Sequence, residues 1–382
     1  MDALILSCGT GGGHDAAAKA IMEEMCIRGH KATILNPYTL YSDELAQKIN
    51  NTYVSMVQNK PRLFGVIYSA GQVYRKLPCK SPVYHINRHM IPIMKEYLSN
   101  HQYDIMISTH LYPAEIITNL KDKHIEIPIT LYVSTDYVCI PFTEETTCDA
   151  YVIPADDLIP HYVGLGIPKE KLYPLGIPVN RVFAQPESKE EARRRLNLDS
   201  GKIYILIAGG SMGGGTINKT IDILIDKVSF QQNVALIIVC GNNKDLYDGL
   251  ISKQSENMIV LGYTDDMAGY LHASDVFVTK PGGLSSTEAA VCGIPILHTA
   301  GIPGCETYNE DYFQNHGMSV ICNNPTDIME KAIELVSSQS KSAEMIEQQH
   351  KKIDGSATAK ICTLAERLLN DEHDVFRNRF DS

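Results

Sequence analysis

Short apolar runs of strand length alternate with helix-patterned stretches almost from one end of the chain to the other, and this rhythm restricts the fold more than any other feature. In the first half the strand candidates are Leu4–Leu6, Ala32–Leu35, Asp104–Ser108, Ile129–Ser134, Ala150–Ile153 and Lys171–Pro174. The pattern breaks at Gly176–Asn180 and Ala184–Pro186, which read as a linker, and Ser188 with Glu191 forms a capping box that opens a charged helix. It restarts with Ile203–Ala208, Val234–Cys240, Met258–Tyr263, Val276–Thr279, Pro295–His298 and Ser319–Cys322. A length of 382 residues with 44% hydrophobic content supports two cores. The expected fold is α/β, with two parallel-sheet, Rossmann-like domains facing across a cleft. They span residues 1–180 and 181–365, and residues 366–382 form a polar tail. Ligands in such sheets collect at the carboxyl ends of the strands.

Several strand ends carry glycine turns. The first strand runs into Cys8-Gly-Thr-Gly-Gly-Gly-His14 and then a helical pattern from Asp15 to Arg28. A dinucleotide fingerprint fails here twice, because His14 stands where the last glycine belongs and the second strand ends in Asn36 rather than a ribose-binding acid. No G-x-x-x-x-G-K-[ST] occurs, so a P-loop is excluded as well. What remains is a loop whose Gly12 and Gly13 let a ligand approach the backbone, with an imidazole at a helix start. There the helix dipole disfavours the imidazolium, which suits His14 to act as a neutral base; the alternative is that His14 only caps its helix. His110 and Asp136 follow predicted strands and suit an acceptor site, or else satisfy local backbone.

The second half repeats the device more strongly. Lys280 to Asn309, KPGGLSSTEAAVCGIPILHTAGIPGCETYN, joins a strand to a helix through Pro-Gly-Gly, so that backbone N–H groups converge on one spot fit for a phosphate. Glu288, in the helix start, suits a vicinal diol such as a ribose, and Glu306 and Asn309 suit further hydroxyls. Five glycines lie in Gly209-Gly-Ser-Met-Gly-Gly-Gly215, including Gly209 and Gly213 around Ser211, and close approach of a ligand explains them better than packing does. Gly241 ends the next strand, and the backbone at Tyr263 and Thr264 is free to meet a base edge. Phosphate, ribose and sugar in a row suggest a nucleotide-sugar.

A net charge of −11 argues against general nucleic-acid binding. Residues 51–95 depart from that balance: they hold Lys60, Arg62, Arg75, Lys76, Lys80, Arg88 and Lys95, no Asp or Glu, and interleaved Tyr53, Phe64, Tyr68, Tyr74 and Tyr84. Screening beyond about 8 Å hides the remote acidic surface. Each basic side chain near an anionic leaflet contributes on the order of 1 kcal/mol, so this segment is read as a reversible membrane contact; the rivals are a solvated basic face and a nucleic-acid groove. No run is long enough to cross a bilayer, and the amino terminus lacks a signal-peptide pattern, so the expected location is cytoplasmic and peripheral to the membrane. The ten cysteines include no C-x-x-C pair and read as reduced, mostly buried side chains.

Together GTGGGH at 9–14, GGSMGGG at 209–215, CGNN at 240–243, GYTDDM at 262–267 and KPGGLSSTEA at 280–289 resemble the glycosyltransferase family of monogalactosyldiacylglycerol synthase and the processive diacylglycerol glucosyltransferases. The peptidoglycan lipid-intermediate N-acetylglucosaminyltransferase is a more distant relative. The resemblance implies the GT-B fold, a UDP-sugar donor on the C-terminal domain, and inverting hexose transfer to a lipid on the N-terminal domain, most simply diacylglycerol. It places uracil at Tyr263 and Thr264, ribose on Glu288, and the phosphates near Gly283, Leu284, Ser285, Ser286 and the 209–215 loop. The hexose falls on Glu306 and Asn309, and His14 matches the histidine proposed to deprotonate the acceptor. The resemblance also implies that no metal or other cofactor is needed, and that the carboxy-terminal helix crosses back onto the N-terminal domain. Pro303-Gly-Cys-Glu306 departs from the family's Pro-Gly-Gln-Glu, which leaves the hexose open. Cys139-Ile-Pro-Phe142 replaces a His- and Trp-containing run, which leaves the acceptor open. The rival functions are a non-hydrolysing UDP-sugar epimerase of the same architecture and a non-catalytic UDP-sugar sensor.

Overall fold

The structure is a computed structural model that describes residues 1–210, 216–228, 233–322 and 324–380. The chain divides into two compact units, the first comprising residues 1–55, 66–181 and 356–382, the second residues 56–65 and 182–355.

The first unit is built on a six-stranded parallel sheet of β1 (Asp2–Leu6), β2 (Lys31–Leu35), β3 (Ile105–Ser108), β4 (Ile129–Val133), β5 (Ala150–Ile153) and β6 (Leu172–Pro174). Their order is β2-β1-β3-β4-β5-β6. β3 and β5 are buried at every position, which is why such strands read as unbroken apolar runs rather than alternating ones. One face packs Leu4, Leu6, Met106 and Tyr132 against the Leu111–Asp122 helix. The other packs Ala3, Ile5, Ile107 and Val133 against Ile21 and Met25 of the Gly12–Ile27 helix.

That second face is completed by Ile361, Cys362, Leu364 and Ala365 of the helix Ala357–Phe380. Thr358 Oγ1 donates to Val179 O (2.6 Å), and Arg28 reaches Ala359 O (2.7 Å), Thr363 Oγ1 (2.9 Å) and Glu366 Oε1 (3.3 Å). Residues 356–365 therefore belong to the first unit and not to a second domain ending at 365, and residues 366–380 continue the same helix rather than forming a separate tail. The apolar face of this helix has its partner surface at the opposite end of the sequence.

The second unit repeats the plan with β7 (Ile203–Ala208), β8 (Val234–Val239), β9 (Met258–Leu261), β10 (Val276–Thr279), β11 (Ile296–Thr299) and β12 (Val320–Cys322). All pairs are parallel, in the order β12-β11-β10-β7-β8-β9. The Ser188 capping box is formed as expected: Glu191 N donates to Ser188 Oγ (3.3 Å), and Ser188 N to Glu191 Oε2 (3.0 Å). All ten cysteines are free, and Cys8, Cys139, Cys148, Cys240, Cys322 and Cys362 are buried. Among the described residues no helix is long and apolar enough to cross a membrane.

In each sheet the winding reverses once. β1 is followed by β2 on one side and β3 on the other, and β7 by β8 on one side and β10 on the other. Loops leaving the carboxyl ends of such a strand pair diverge to opposite faces and leave a crevice between them, where α/β sheets hold ligands.

Candidate functional site

The loop after β1 carries Gly9 at φ +68° and Gly11 at φ +104°, values that a side chain would strain. Gly11 precedes the Gly12–Ile27 helix as its cap residue and offers no side chain to the first N–H groups. Gly12, Gly13 and His14 form the first turn, and all three are half-buried.

His14 Nδ1 lies 2.8 Å from Thr109 O, just beyond β3, and 2.9 Å from Thr135 Oγ1, just beyond β4. A carbonyl only accepts, so Nδ1 carries a hydrogen, and Nε2 has no partner among the described residues. With Nδ1 committed as donor, Nε2 is the ring nitrogen that a general base would use. The loop after β4 was expected to contribute Asp136, which is half-buried; the residue that contacts His14 is its neighbour Thr135.

His110 meets the His14 ring edge-on at 4.4 Å between centroids. Its Nδ1 accepts from Tyr112 N (3.0 Å), capping the Leu111–Asp122 helix, so Nε2 carries the hydrogen and donates to Thr10 Oγ1 (2.9 Å). Burial, and secondarily the neighbouring His14, hold His110 well below the ordinary histidine range. Both ring nitrogens are spent inside the protein, which corrects the expectation of an acceptor contact: His110 walls and orients His14.

In the second unit, β10 runs through Lys280, Pro281 and Gly282 into the Gly283–Cys292 helix, whose cap residue Gly282 again provides no side-chain cap. The first-turn N–H groups of a helix lack intrahelical partners, and they lie here at the β7/β10 reversal. Gly283, Leu284, Ser286, Thr287, Ala289 and Ala290 are buried, whereas Ser285 and Glu288 share the open face. Leu284 can therefore serve a ligand only through its backbone. Ser286 Oγ lies 2.9 Å from Nε2 of buried His298, which burial lowers to about 3 and keeps neutral. The Ser286 hydroxyl is turned into the core, so Ser285 is the hydroxyl available beside the helix start.

Glu288 has no hydrogen-bond partner among the described residues, and although the side chain is only half-buried on the open face, desolvation by the surrounding protein pushes its carboxyl up to about 8. Such a carboxyl is short of donors. Glu306, by contrast, is fully engaged: one oxygen pairs with Lys280 Nζ, and the other accepts from Ile302 N (2.8 Å). Buried Asn309 donates to Pro281 O (3.2 Å). The two residues expected to hold a hexose thus also brace the turn that starts the helix.

The remaining positions lie along the same carboxyl edge. Gly209 and Gly210 follow β7, with Gly210 at φ +74°, and Gly241 follows β8 at φ +59°. Tyr263 is 64% exposed after β9, and Thr264 Oγ1 accepts from Asp266 N (3.1 Å). Ser211 and Gly213 lie outside the described residues. Thr109, Thr135 and Lys280 were missed by pattern reading.

The basic segment divides in two. Arg75 pairs with Glu144 Oε2 (2.5 Å) and reaches Cys139 O (3.3 Å), its side chain only 4% exposed. Lys80 Nζ donates to Glu145 O (2.9 Å) and sits 4.9 Å from the Tyr84 ring centroid. These two are internal ties, a correction to their reading as membrane contacts; their partners come from residues 144–145, far along the sequence. Lys60, Arg62 and Lys76 are exposed. Between them runs the Pro61–Tyr74 helix, none of whose residues is buried, with Leu63, Val66, Ile67 and Val73, then Leu77, open at helical spacing.

Residues 14–179 match the family model of monogalactosyldiacylglycerol (MGDG) synthase, and residues 188–352 that of glycosyl transferases group 1. The processive diacylglycerol beta-glucosyltransferase of Bacillus pumilus (strain SAFR-032) is 25% identical over 347 residues, covering 88% of this chain and 87% of that protein. The enzyme of that name from Staphylococcus saprophyticus is 29% identical over 301 residues, covering 76% of this chain and 73% of that protein. The crystal structure of Acinetobacter baumannii MurG superposes with a TM-score of 0.60 at 15% identity, covering 96% and 99% of the two chains. A doubly repeated parallel sheet agrees with these likenesses: the fold is that of the GT-B glycosyltransferases, the first half of the chain resembles monogalactosyldiacylglycerol synthase, and most of the chain is similar to the processive diacylglycerol glucosyltransferases.

Proposed function

We propose that the protein is an inverting hexosyltransferase that moves a hexose from a UDP-sugar to the hydroxyl of diacylglycerol, giving a glycolipid. The observation that carries this reading is His14, which stands at the β1/β3 reversal with its Nδ1–H committed to Thr109 O and its Nε2 without a partner among the described residues. Nε2 takes the proton of the lipid hydroxyl as its oxygen attacks the anomeric carbon. The bond from that carbon to the diphosphate oxygen breaks, and UDP leaves with the bonding pair. The uncapped N–H groups of Gly283, Leu284 and Ser285 meet the charge on the departing diphosphate, so no metal is invoked. Ser285 Oγ supplements them, Glu288 takes the ribose diol, and the edge at Tyr263 and Thr264 takes the base. Gly209 and Gly241 leave room for the nucleotide backbone. Glu306 and Asn309 face the hexose, and Asp136 borders the acceptor.

The acceptor is insoluble, so the enzyme works at a bilayer surface. The open stripe Leu63, Val66, Ile67 and Val73 enters the lipid boundary of the cytoplasmic leaflet, with Lys60, Arg62 and Lys76 on its headgroups. The test is mass spectrometry of lipids after incubating the protein with diacylglycerol vesicles and a panel of UDP-sugars. A hexosyl-diacylglycerol is the expected product. An epimerised free UDP-sugar, or binding with no new lipid, overturns the reading.

A further inference from the structure

Lys280 ends β10 at the reversal point of the second sheet. Its side chain passes over Gly210, where a Cβ would stand 3.5 Å from Lys280 Cε. The ammonium then pairs with Glu306 Oε1, the two side chains being only 16% and 9% exposed. The other Glu306 oxygen is held by Ile302 N at 2.8 Å, and the Lys280 carbonyl accepts from Gly282 N at 2.8 Å. One cation and one carboxylate therefore neutralise each other in a largely desolvated spot, with Lys280 three residues before the uncapped helix start at Gly283. A lysine ammonium has three donors on a flexible stem, and a diphosphate presents more negative charge than a single carboxylate.

We propose that Lys280 is shared between two anions. It pairs with Glu306 when the site holds no donor and turns to the diphosphate when a nucleotide binds, releasing Glu306 Oε1 to accept a hexose hydroxyl. The inference rests on the donor reading above and adds to it an order of events. The carboxylate that contacts the sugar is occupied until the diphosphate arrives, so sugar recognition is gated by nucleotide recognition. A free hexose finds the carboxylate taken, whereas a UDP-hexose brings the anion that frees it.

Calorimetry with UDP and with a UDP-hexose, on the intact chain, tests this. Glu306→Gln removes the competitor for the ammonium, so UDP binds several-fold tighter while the extra affinity of the UDP-hexose over UDP is lost. Lys280→Met weakens UDP by about tenfold or more and lowers the salt dependence of binding. Lys280→Met leaves a buried carboxylate unpaired, so the double variant Lys280→Met/Glu306→Gln, which buries no unpaired charge, provides the check on folding. Its UDP affinity falls to the Lys280→Met value, with no gain from the glutamine. Unchanged or weaker UDP binding by Glu306→Gln, or wild-type UDP binding by the double variant, overturns the proposal while leaving the donor reading intact. Failure of the unaltered protein to bind UDP overturns both.

Discussion

Glu288 supports a prediction in which the proton is the readout. Desolvation raises its carboxyl to about 8, and it has no hydrogen-bond partner among the described residues. At pH 7 the group is about nine-tenths protonated, one unit below its midpoint. A ribose diol presents two O–H donors, which favour the carboxylate and drive its midpoint down. Binding a UDP-sugar at pH 7 should therefore release close to one proton. A UDP-sugar suits the measurement because its phosphates are both esterified and do not titrate near neutrality. Ionising Glu288 at pH 7 costs about 1.4 kcal/mol, the equivalent of one pKa unit. Affinity should accordingly rise about tenfold from pH 7 towards its plateau above pH 8, and fall about tenfold per unit below pH 7. Isothermal calorimetry in two buffers of different ionisation enthalpy counts the proton directly. Glu288→Gln should release none, show a flat profile from pH 6 to pH 8.5, and bind more weakly than the parent at the alkaline end. The loss there should be up to about 3–6 kcal/mol, at roughly 1.5–3 kcal/mol for each of two hydrogen bonds to a charged acceptor. Binding by the parent protein with no proton released would refute the ribose assignment.

His14→Ala should lower kcat by about 10²–10⁴ with UDP affinity unchanged. Thr135→Val should lower it much less, because Thr109 O still holds Nδ1; an unaltered kcat for His14→Ala removes the base assignment. Replacing Leu63, Val66 and Ile67 by serine should reduce sedimentation with neutral and anionic vesicles alike, whereas Lys60, Arg62 and Lys76 to glutamine should reduce only the anionic case. Parental binding by the serine variant would count against insertion of the stripe. Neither carboxyl oxygen of buried Glu115 has a donor among the described residues, and burial, followed by the nearby Glu145 carboxyl, pushes it from 4.5 to about 10. The native state thus holds a proton that the unfolded chain has lost, so stability falls as pH rises across that window. Glu115→Gln should flatten that fall in denaturant titrations at pH 6 and pH 9, and identical slopes for the two proteins would remove the assignment.

Much of the fold was legible because strands buried on both faces cannot hide their apolar character. All twelve expected strands are present within about two residues of their predicted ends, a normal tolerance for element boundaries. The loops were legible for a related reason: strand, glycine turn and helix start leave few uses other than ligand approach. What escaped was the identity of the contacting atom within a correctly chosen loop. Asp136 was read as the acceptor-site group because it follows a strand end, yet the residue that reaches His14 is the neighbouring hydroxyl of Thr135. Ser285 and Ser286 are chemically alike and separate only by their angle about the helix, with one on the open face and the other on His298. Arg75 and Lys80 stood in a segment without acids, and only the tertiary fold brings Glu144 and Glu145 to them. No local pattern encodes a partner some seventy residues away.

The carboxy-terminal helix carries a lesson about manufacture. The sheet face formed by Ala3, Ile5, Ile107 and Val133 is covered partly by the Gly12–Ile27 helix and completed by Ile361, Cys362, Leu364 and Ala365, so it stays part-open until translation has passed residue 365. A ribosome emits residues 1–181 early, but that portion has to wait with part of an apolar face open to solvent while the whole second unit is made. Expressing the first 181 residues alone should therefore yield aggregate, and supplying the missing helix as a separate peptide should recover soluble material. For the same reason, a stop codon near residue 355 injures the unit that carries His14, although it removes nothing from the unit that carries Glu288.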